Sequence, residues 1–257
     1  MEKMVFNRVE KKYLLTQKKF QKLWKELMKH MIVDEYGLHT ICNIYYDTES
    51  YELIRNSIEK PVYKEKFRVR SYGIPEKTDD VFLEIKKKYN GIVNKRRMIL
   101  PLEDAENYLN NKEKISEDSQ IFQEIDYFIH QYELLPKMFI AYERIALFGK
   151  EDSEFRVTFD KNIRSRNWDL SLQYGDNGVL LLEDDSVLME VKITNAMPMW
   201  FADLLSEFEI FNTSFSKYGT VYKKQMKNMM SGKDFDKMDG ILYSHQETMQ
   251  LQNTLAG

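Results

Sequence analysis

Polar and apolar residues alternate with a period of two over much of this chain, and on strand after strand the polar face is cationic. Val62-Tyr63-Lys64-Glu65-Lys66-Phe67-Arg68-Val69-Arg70 puts Lys64, Lys66, Arg68 and Arg70 on one face of a strand. In Val81-Phe82-Leu83-Glu84-Ile85-Lys86, Glu84 and Lys86 share a face opposite Leu83 and Ile85. In Asn94-Lys95-Arg96-Arg97-Met98-Ile99-Leu100, Lys95 and Arg97 share one, with Arg96 turned to the other side. Tyr89-Asn90-Gly91 between the last two predicts a hairpin. Three neighbouring cationic faces repel one another unless an anion lies between them, so the pattern predicts a cavity for a polyanion.

The rest of the chain repeats the theme. Phe6 to Leu15 alternates as a strand with Arg8, Glu10 and Lys12 on one face. Thr16 caps a helix whose apolar side is Phe20, Leu23, Leu27 and Met28. A strand over Thr40–Asp47 precedes a short helix over Ser50–Ile58, closed by Lys60-Pro61. Pro101–Tyr108 reads as a short helix and Glu113–Ser119 as a charged linker. Phe122, Ile125, Phe128, Ile129 and Tyr132 predict an amphipathic helix ending before Pro136. Four strands follow. Met138–Phe148 carries Tyr142, Arg144 and Ala146 on one face, and Phe155–Lys161 carries Arg156, Thr158 and Asp160, where Asp160 is expected to orient Arg156. After Val179–Leu182, Val187–Ile193 carries Glu190 and Lys192. A helix built on Trp200, Leu204, Leu205, Phe208 and Phe211 leads to Ser216-Lys217-Tyr218-Gly219. The prediction is an α+β fold: an eight-stranded antiparallel, tunnel-shaped β-barrel covered by flanking helices, its charged face inward. One domain spans residues 1–225, and residues 226–257, with little apolar period, form a polar tail.

Composition sharpens this by contrast. Net charge over the 257 residues is −3, which argues against wholesale binding to nucleic acid and makes the local basic faces more informative. No apolar run reaches the roughly 18 residues of a membrane span, and the first residues lack the features of a signal peptide. The lone Cys42 excludes an internal disulfide framework and fits a buried thiol in a reducing cytoplasm. The chain has no phosphate-binding Gly-rich loop of the G-x-x-x-x-G-K-[ST] type, no G-x-G-x-x-G and no G-x-S-x-G elbow. His30, His39, His130 and His245 show no metal-ligand spacing.

What remains is an ordered series: Arg8-x-Glu10-x-Lys12-Tyr13, Arg68-x-Arg70, Glu84-x-Lys86, Lys95-x-Arg97, Tyr142-x-Arg144, Arg156-x-Thr158-x-Asp160, Glu190-x-Lys192 and Ser216-Lys217-Tyr218. The series resembles the polyphosphate polymerase domain of the vacuolar transporter chaperone family, within the triphosphate tunnel metalloenzyme superfamily, from Phe6 to about Lys223. The resemblance implies roles residue by residue. Lys12, Arg68, Arg70, Lys86, Arg144, Arg156 and Lys217 match positions that grip the reacting phosphates. Arg8, Lys66, Lys95, Arg97, Lys192, Tyr142 and Ser216 would extend the substrate-binding lining. Glu190 matches the metal-binding glutamate, with Glu10 and Glu84 as further acidic positions for Mn²⁺ or Mg²⁺. The implied activity is metal-dependent transfer of the terminal phosphate of a nucleoside triphosphate, ATP in the first instance, to a growing polyphosphate chain. Two other readings share the tunnel: a triphosphatase with water as acceptor, which the first-strand acid Glu10 leaves room for, and a non-catalytic polyphosphate-binding module. Nucleic acid is not an expected partner, and export of a product would call for a membrane partner.

Overall fold

The structure, a computed structural model, describes residues 9–90, 92–111, 115, 119–182, 185–194, 196–231 and 242–243. Arg8, most of the expected 113–119 linker and most of the expected tail lie outside the described residues. In chain order the elements are β1 (Val9–Thr16), α1 (Gln17–His30), β2 (Met31–Val33), β3 (His39–Asp47), α2 (Glu52–Ile58), β4 (Tyr63–Tyr72), β5 (Asp80–Tyr89) and β6 (Ile92–Pro101). There follow α3 (Leu102–Asn111), α4 (Gln120–Tyr132), β7 (Leu135–Gly149), β8 (Arg156–Arg166), β9 (Gly178–Leu180), β10 (Ser186–Ile193), α5 (Met199–Glu207), β11 (Asn212–Thr213), α6 (Lys217–Met230) and β12 (Leu242–Tyr243).

All pairings are antiparallel, in the order β11-β1-β10-β8-β7-β3-β4-β5-β6, with β2, β9 and β12 as short additions. Leaving out the two-residue β11, that path holds the eight long strands the alternation predicts. It departs from the expected barrel in one respect: among the described residues no ladder joins β6 back to β1, so the ring of backbone hydrogen bonds is open. Side chains bridge the gap, because Lys86 of β5 reaches Glu10 of β1 at 3.5 Å.

The period-two pattern sorts residues into layers. Phe67, Val69, Leu83, Ile85, Met98 and Leu100 on the convex face of β4–β6 pack under α3 and α4. Tyr13, Leu15, Val157, Phe159, Met189 and Val191 pack under α1 and α5, so the Trp24 and Trp200 helices are cover, as their apolar spacing predicts. Thr16 caps α1 by accepting from the Lys19 amide at 3.3 Å. Arg96 lies on the convex side and bonds Glu124 of α4, opposite Lys95 and Arg97. Cys42 is buried and free.

A third apolar cluster was not foreseen. Ile41, Tyr45, Met138, Ile140, Tyr142, Ile163 and Leu188 lie on the concave face and are covered by Ile54 of α2 and by Tyr218 and Val221 of α6. The α6 helix runs to Met230, past position 226 and into the stretch expected as a tail. One end of the concave surface is therefore filled by apolar packing, and the charged lining is concentrated on the remainder. Asp47 fixes the two covering helices. Its carboxylate accepts from the amides of Leu53 and Ile54 at the start of α2 and from the Tyr218 hydroxyl at 3.0 Å. Asp47→Ala orphans these buried donors and should destabilise the fold by about 2–3 kcal/mol, measured by urea unfolding.

Candidate triphosphate site

Two clusters of buried charge face the concavity. The first is built on β4, β5 and β6. Register places Arg68 beside Glu84 and Glu84 beside Arg97, so three strands contribute to one cage. Glu84, only 1% exposed, receives Arg68 Nη2 at 2.7 Å, Arg97 Nη2 at 2.5 Å and Lys95 Nζ at 3.3 Å, with Arg70 Nε at 3.9 Å. Burial alone would raise the Glu84 carboxyl, but Arg68, Arg70 and the other cations outweigh it and hold it far below the usual carboxylate range. Its surroundings are those of a counter-ion that fixes arginines, rather than the open acidic site that its match to a metal position predicts. Arg68 also bonds the Tyr45 hydroxyl at 3.1 Å, and Arg70 bonds Asn43 Oδ1 at 2.9 Å and the Tyr142 hydroxyl at 3.2 Å. Each guanidinium is thereby oriented without its charge being neutralised one for one.

The second cluster joins β1, β7, β8, β10 and the start of α6. Asp160 holds Arg144 through both nitrogens, Nε at 2.6 Å and Nη2 at 2.7 Å, and receives Lys217 Nζ at 2.5 Å. The expectation that Asp160 orients Arg156 is corrected. Arg144 lies directly across the ladder from Asp160, whereas Arg156 stands exposed at the start of β8, across from Lys192. Glu190 receives Lys217 at 3.0 Å, Lys12 at 3.3 Å and Arg144 at 3.5 Å. Burial opposes its ionisation, and Lys217, Lys12 and Arg144 overcome that and keep it well below the usual range. Glu10 shares Lys12 with it, at 3.3 Å. Burial raises Glu10 as well, yet Lys86 and Lys12 bring it below its ordinary value.

Tyr142 joins the clusters: its ring carries the Lys217 ammonium at 4.5 Å and the Arg144 guanidinium at 5.1 Å, while its hydroxyl meets Arg70. By contrast, Lys66 and Lys192 on the concave face have no carboxylate within ion-pair distance among the described residues. Lys66 Nζ donates to Ser216 Oγ at 2.9 Å, the residue that also caps α6. Burial, then Lys12 and Lys86, push Lys66 down to about 7. Burial and Arg144 push Lys192 down to about 8. Burial is the larger cause in both cases; the neighbouring cations add to it, and an anion in the concavity would relieve that part.

The metal expectation divides. Among the described residues no group of three or more acidic, His or Cys side chains comes together. Glu10 and Glu190 do: both are ionised and converge on one ammonium, that of Lys12. Thr158 lies across the ladder from Glu190, and its buried hydroxyl oxygen has no hydrogen-bond partner. Two carboxylates and a free hydroxyl are hard oxygen donors, and they fit a Mg²⁺ or Mn²⁺ ion whose remaining ligands are phosphate oxygens and water. Glu84 is outside this group.

Of the expected lining, Lys12, Lys66, Arg68, Arg70, Lys86, Lys95, Arg97, Tyr142, Arg144, Glu190, Lys192, Ser216 and Lys217 lie in or between these clusters, and Arg156 stands at the edge. Asn43 and Tyr45, which orient Arg70 and Arg68, are not among the residues expected from the sequence, whereas Thr158 is placed on the lining face there without a role. Tyr45 alternates with Asn43 on β3, a signal hidden because that strand carries no Lys, Arg or Glu to mark its lining face.

The sequence matches the VTC domain family over residues 7–226. None of the curated proteins matches it. In three dimensions the chain is similar to a candidate adenylate cyclase of Bacillus halodurans, with a TM-score of 0.52 at 14% identity, covering 82% of this chain and 95% of that one. A candidate adenylyl cyclase of Hippeastrum, described as having a dominant triphosphatase activity, superposes at a TM-score of 0.49 and 15% identity, covering 91% and 99%.

If the Glu84 cage is a preorganised anion clamp, Glu84→Gln should cost about 3–5 kcal/mol of stability, because it leaves buried cations uncompensated. Saturating inorganic triphosphate should restore much of the loss, since it binds the folded state and replaces the missing negative charge. Thermal melts with and without triphosphate measure both effects.

Proposed function

We propose that this chain, which belongs to the VTC domain family, is a metal-dependent polyphosphate polymerase that takes its phosphate from a nucleoside triphosphate, ATP in the first instance. The observation that carries the reading is the pair of facing charge clusters, in which Arg68, Arg70, Arg97, Arg144, Lys12, Lys86, Lys192 and Lys217 outnumber the carboxylates among them. A triphosphate carries about four negative charges, and transfer of its terminal phosphoryl group needs chiefly positioning and charge stabilisation.

In this mechanism the arginines of the Glu84 cage grip the nucleotide phosphates through paired N–H donors, and Lys86 and Lys95 add point charges. Arg144 and Lys217, held rigid by Asp160 and Glu190, stabilise the equatorial oxygens of the transferred group. A terminal oxygen of the chain attacks the γ-phosphorus, the bond to the β-phosphate oxygen breaks, and a nucleoside diphosphate leaves. The acceptor is already anionic, so no general base is required. Glu10, Glu190 and Thr158 would hold the divalent ion, which supplies Lewis-acid polarisation of the phosphoryl oxygens. Export of the chain across a membrane would call for a membrane partner; among the described residues no helix is long and apolar enough to cross a membrane.

A second reading, hydrolysis of the triphosphate by water, is favoured by one observation: Glu10 sits beside Glu190, where a carboxylate could orient a water. One incubation separates the two. Purified protein with ATP and Mn²⁺ should yield long phosphate chains on a gel. Free phosphate without chains would establish the hydrolase instead, and no turnover with polyphosphate binding intact would leave a binding module. In the same assay Glu190→Gln should lower turnover by at least a hundredfold while triphosphate binding persists. Undiminished turnover would remove Glu190 from the chemistry.

A further inference from the structure

The concave face changes character along its length. On β4 the concave residues run Lys64, Lys66, Arg68, Arg70 and then Tyr72; on β5, in the opposite direction, Lys88, Lys86, Glu84 and then Phe82; on β6, Lys95, Arg97 and then Ile99. The register aligns these endings, with Arg70 opposite Phe82 and Phe82 opposite Ile99. His39 of β3 and Tyr36, in the turn before it, extend the row. At the other end of the same strands the concave pair is Lys64 opposite Lys88. One mouth is therefore aromatic and the other lysine-lined.

The rings form a continuous series. Phe82 and Tyr72 meet edge to face with centroids 5.3 Å apart, Tyr72 and His39 lie 5.9 Å apart, and His39 and Tyr36 6.1 Å apart. The Arg97 guanidinium lies over the Phe82 ring at 4.5 Å while it bonds Glu84, so the series starts inside the phosphate clamp. It ends in solvent: Tyr72 is 51% exposed, Ile99 52% and Tyr36 70%. His39 is braced by its Nδ1, which donates to the Gly37 carbonyl at 3.1 Å. These rings are not spent on core packing, since the hydrophobic core under α3 and α4 is on the opposite face of the same strands.

We propose that this aromatic row is a nucleobase platform. The inference rests on the reading of the tunnel as a triphosphate site and adds where the remainder of the donor lies. Tyr72 is two residues beyond Arg70, roughly 7 Å along the strand, which is the reach of a ribose from its phosphates. A purine whose triphosphate lies on Arg68, Arg70 and Arg97 stacks on Tyr72, with Phe82 and His39 as its flanks. Stacking accepts any base, because every base offers a π-face, and favours the larger purine ring. The lysine-lined end, where Lys64 lies opposite Lys88 and Lys66 reaches Ser216, is left to a phosphate chain. The nucleotide thus occupies the Tyr72 mouth, with its terminal phosphate pointing toward Lys86 and Lys66.

Calorimetric titration of ATP and of inorganic triphosphate into the wild-type chain and two variants tests this. Tyr72→Ala should weaken ATP binding roughly tenfold and leave inorganic triphosphate within about twofold, the loss that removal of one stacking ring brings. Tyr72→Phe, which keeps the ring and gives up only the hydroxyl bond to Arg97, should bind ATP within about twofold of the wild type. ATP affinity unchanged by Tyr72→Ala, or lost equally for both ligands, would overturn the platform while the tunnel reading stands on its triphosphate binding. Failure of the wild-type chain to bind inorganic triphosphate would overturn the tunnel reading, and the platform with it.

Discussion

Everything in this protein's concave face depends on keeping a surplus of buried positive charge in place before any anion arrives. Arginines and lysines from six elements converge on a few carboxylates: Glu84 on one wall, Asp160, Glu190 and Glu10 on the other. A buried ion pair adds little net stability, because desolvation consumes most of the Coulombic gain. What the carboxylates supply is position. Asp160 fixes the Arg144 fork through two bonds, and Glu84 gathers the Arg68 and Arg97 forks on a single side chain. The cost of assembling the cations is carried by the convex cores under α1, α3, α4 and α5, where the opposite faces of the same strands bury their apolar residues.

That division also explains why the ring of strands can remain open. Closing a ladder between β6 and β1 would add backbone hydrogen bonds, but the walls are already tied through Lys86 and Glu10 and through the contacts of Tyr142 with Arg70, Arg144 and Lys217. The α6 helix seals part of the concavity with Tyr218 and Val221 and, at its first turn, brings Ser216 and Lys217 to the charged lining. One helix therefore does two jobs that the sequence shows as unrelated fragments.

How far the site can be read without the structure follows from the kind of information each residue carries. Period-two parity assigns Lys66, Arg68, Arg70, Glu84, Lys86, Lys95 and Arg97 to one face, and Arg96 to the other, because parity is local to each strand. Which charges meet across the sheet depends on register, and register is not local. Hence Asp160 reads as the partner of Arg156, its neighbour in sequence, while the ladder delivers it to Arg144. Glu84 matches a metal position in the motif, yet four cations from the two flanking strands surround it. The aromatic mouth escaped notice for the same reason: Tyr36, His39, Tyr72 and Phe82 are scattered in the chain and become a row only when β3, β4 and β5 align.

The central claim is that the concavity is charged in excess of its own counter-ions and is completed by a linear phosphate. Proton uptake on binding reports this directly. Lys66, lowered by burial and by Lys12 and Lys86 to about 7, is largely neutral at pH 8. A bound phosphate raises it, so a proton enters the complex; below about pH 6 it is already charged and uptake should vanish. Titration calorimetry of inorganic triphosphate at pH 8, in two buffers of different ionisation enthalpy, counts that proton. The account predicts tight binding with net proton uptake; binding that leaves the proton count unchanged, or none at all, would contradict it.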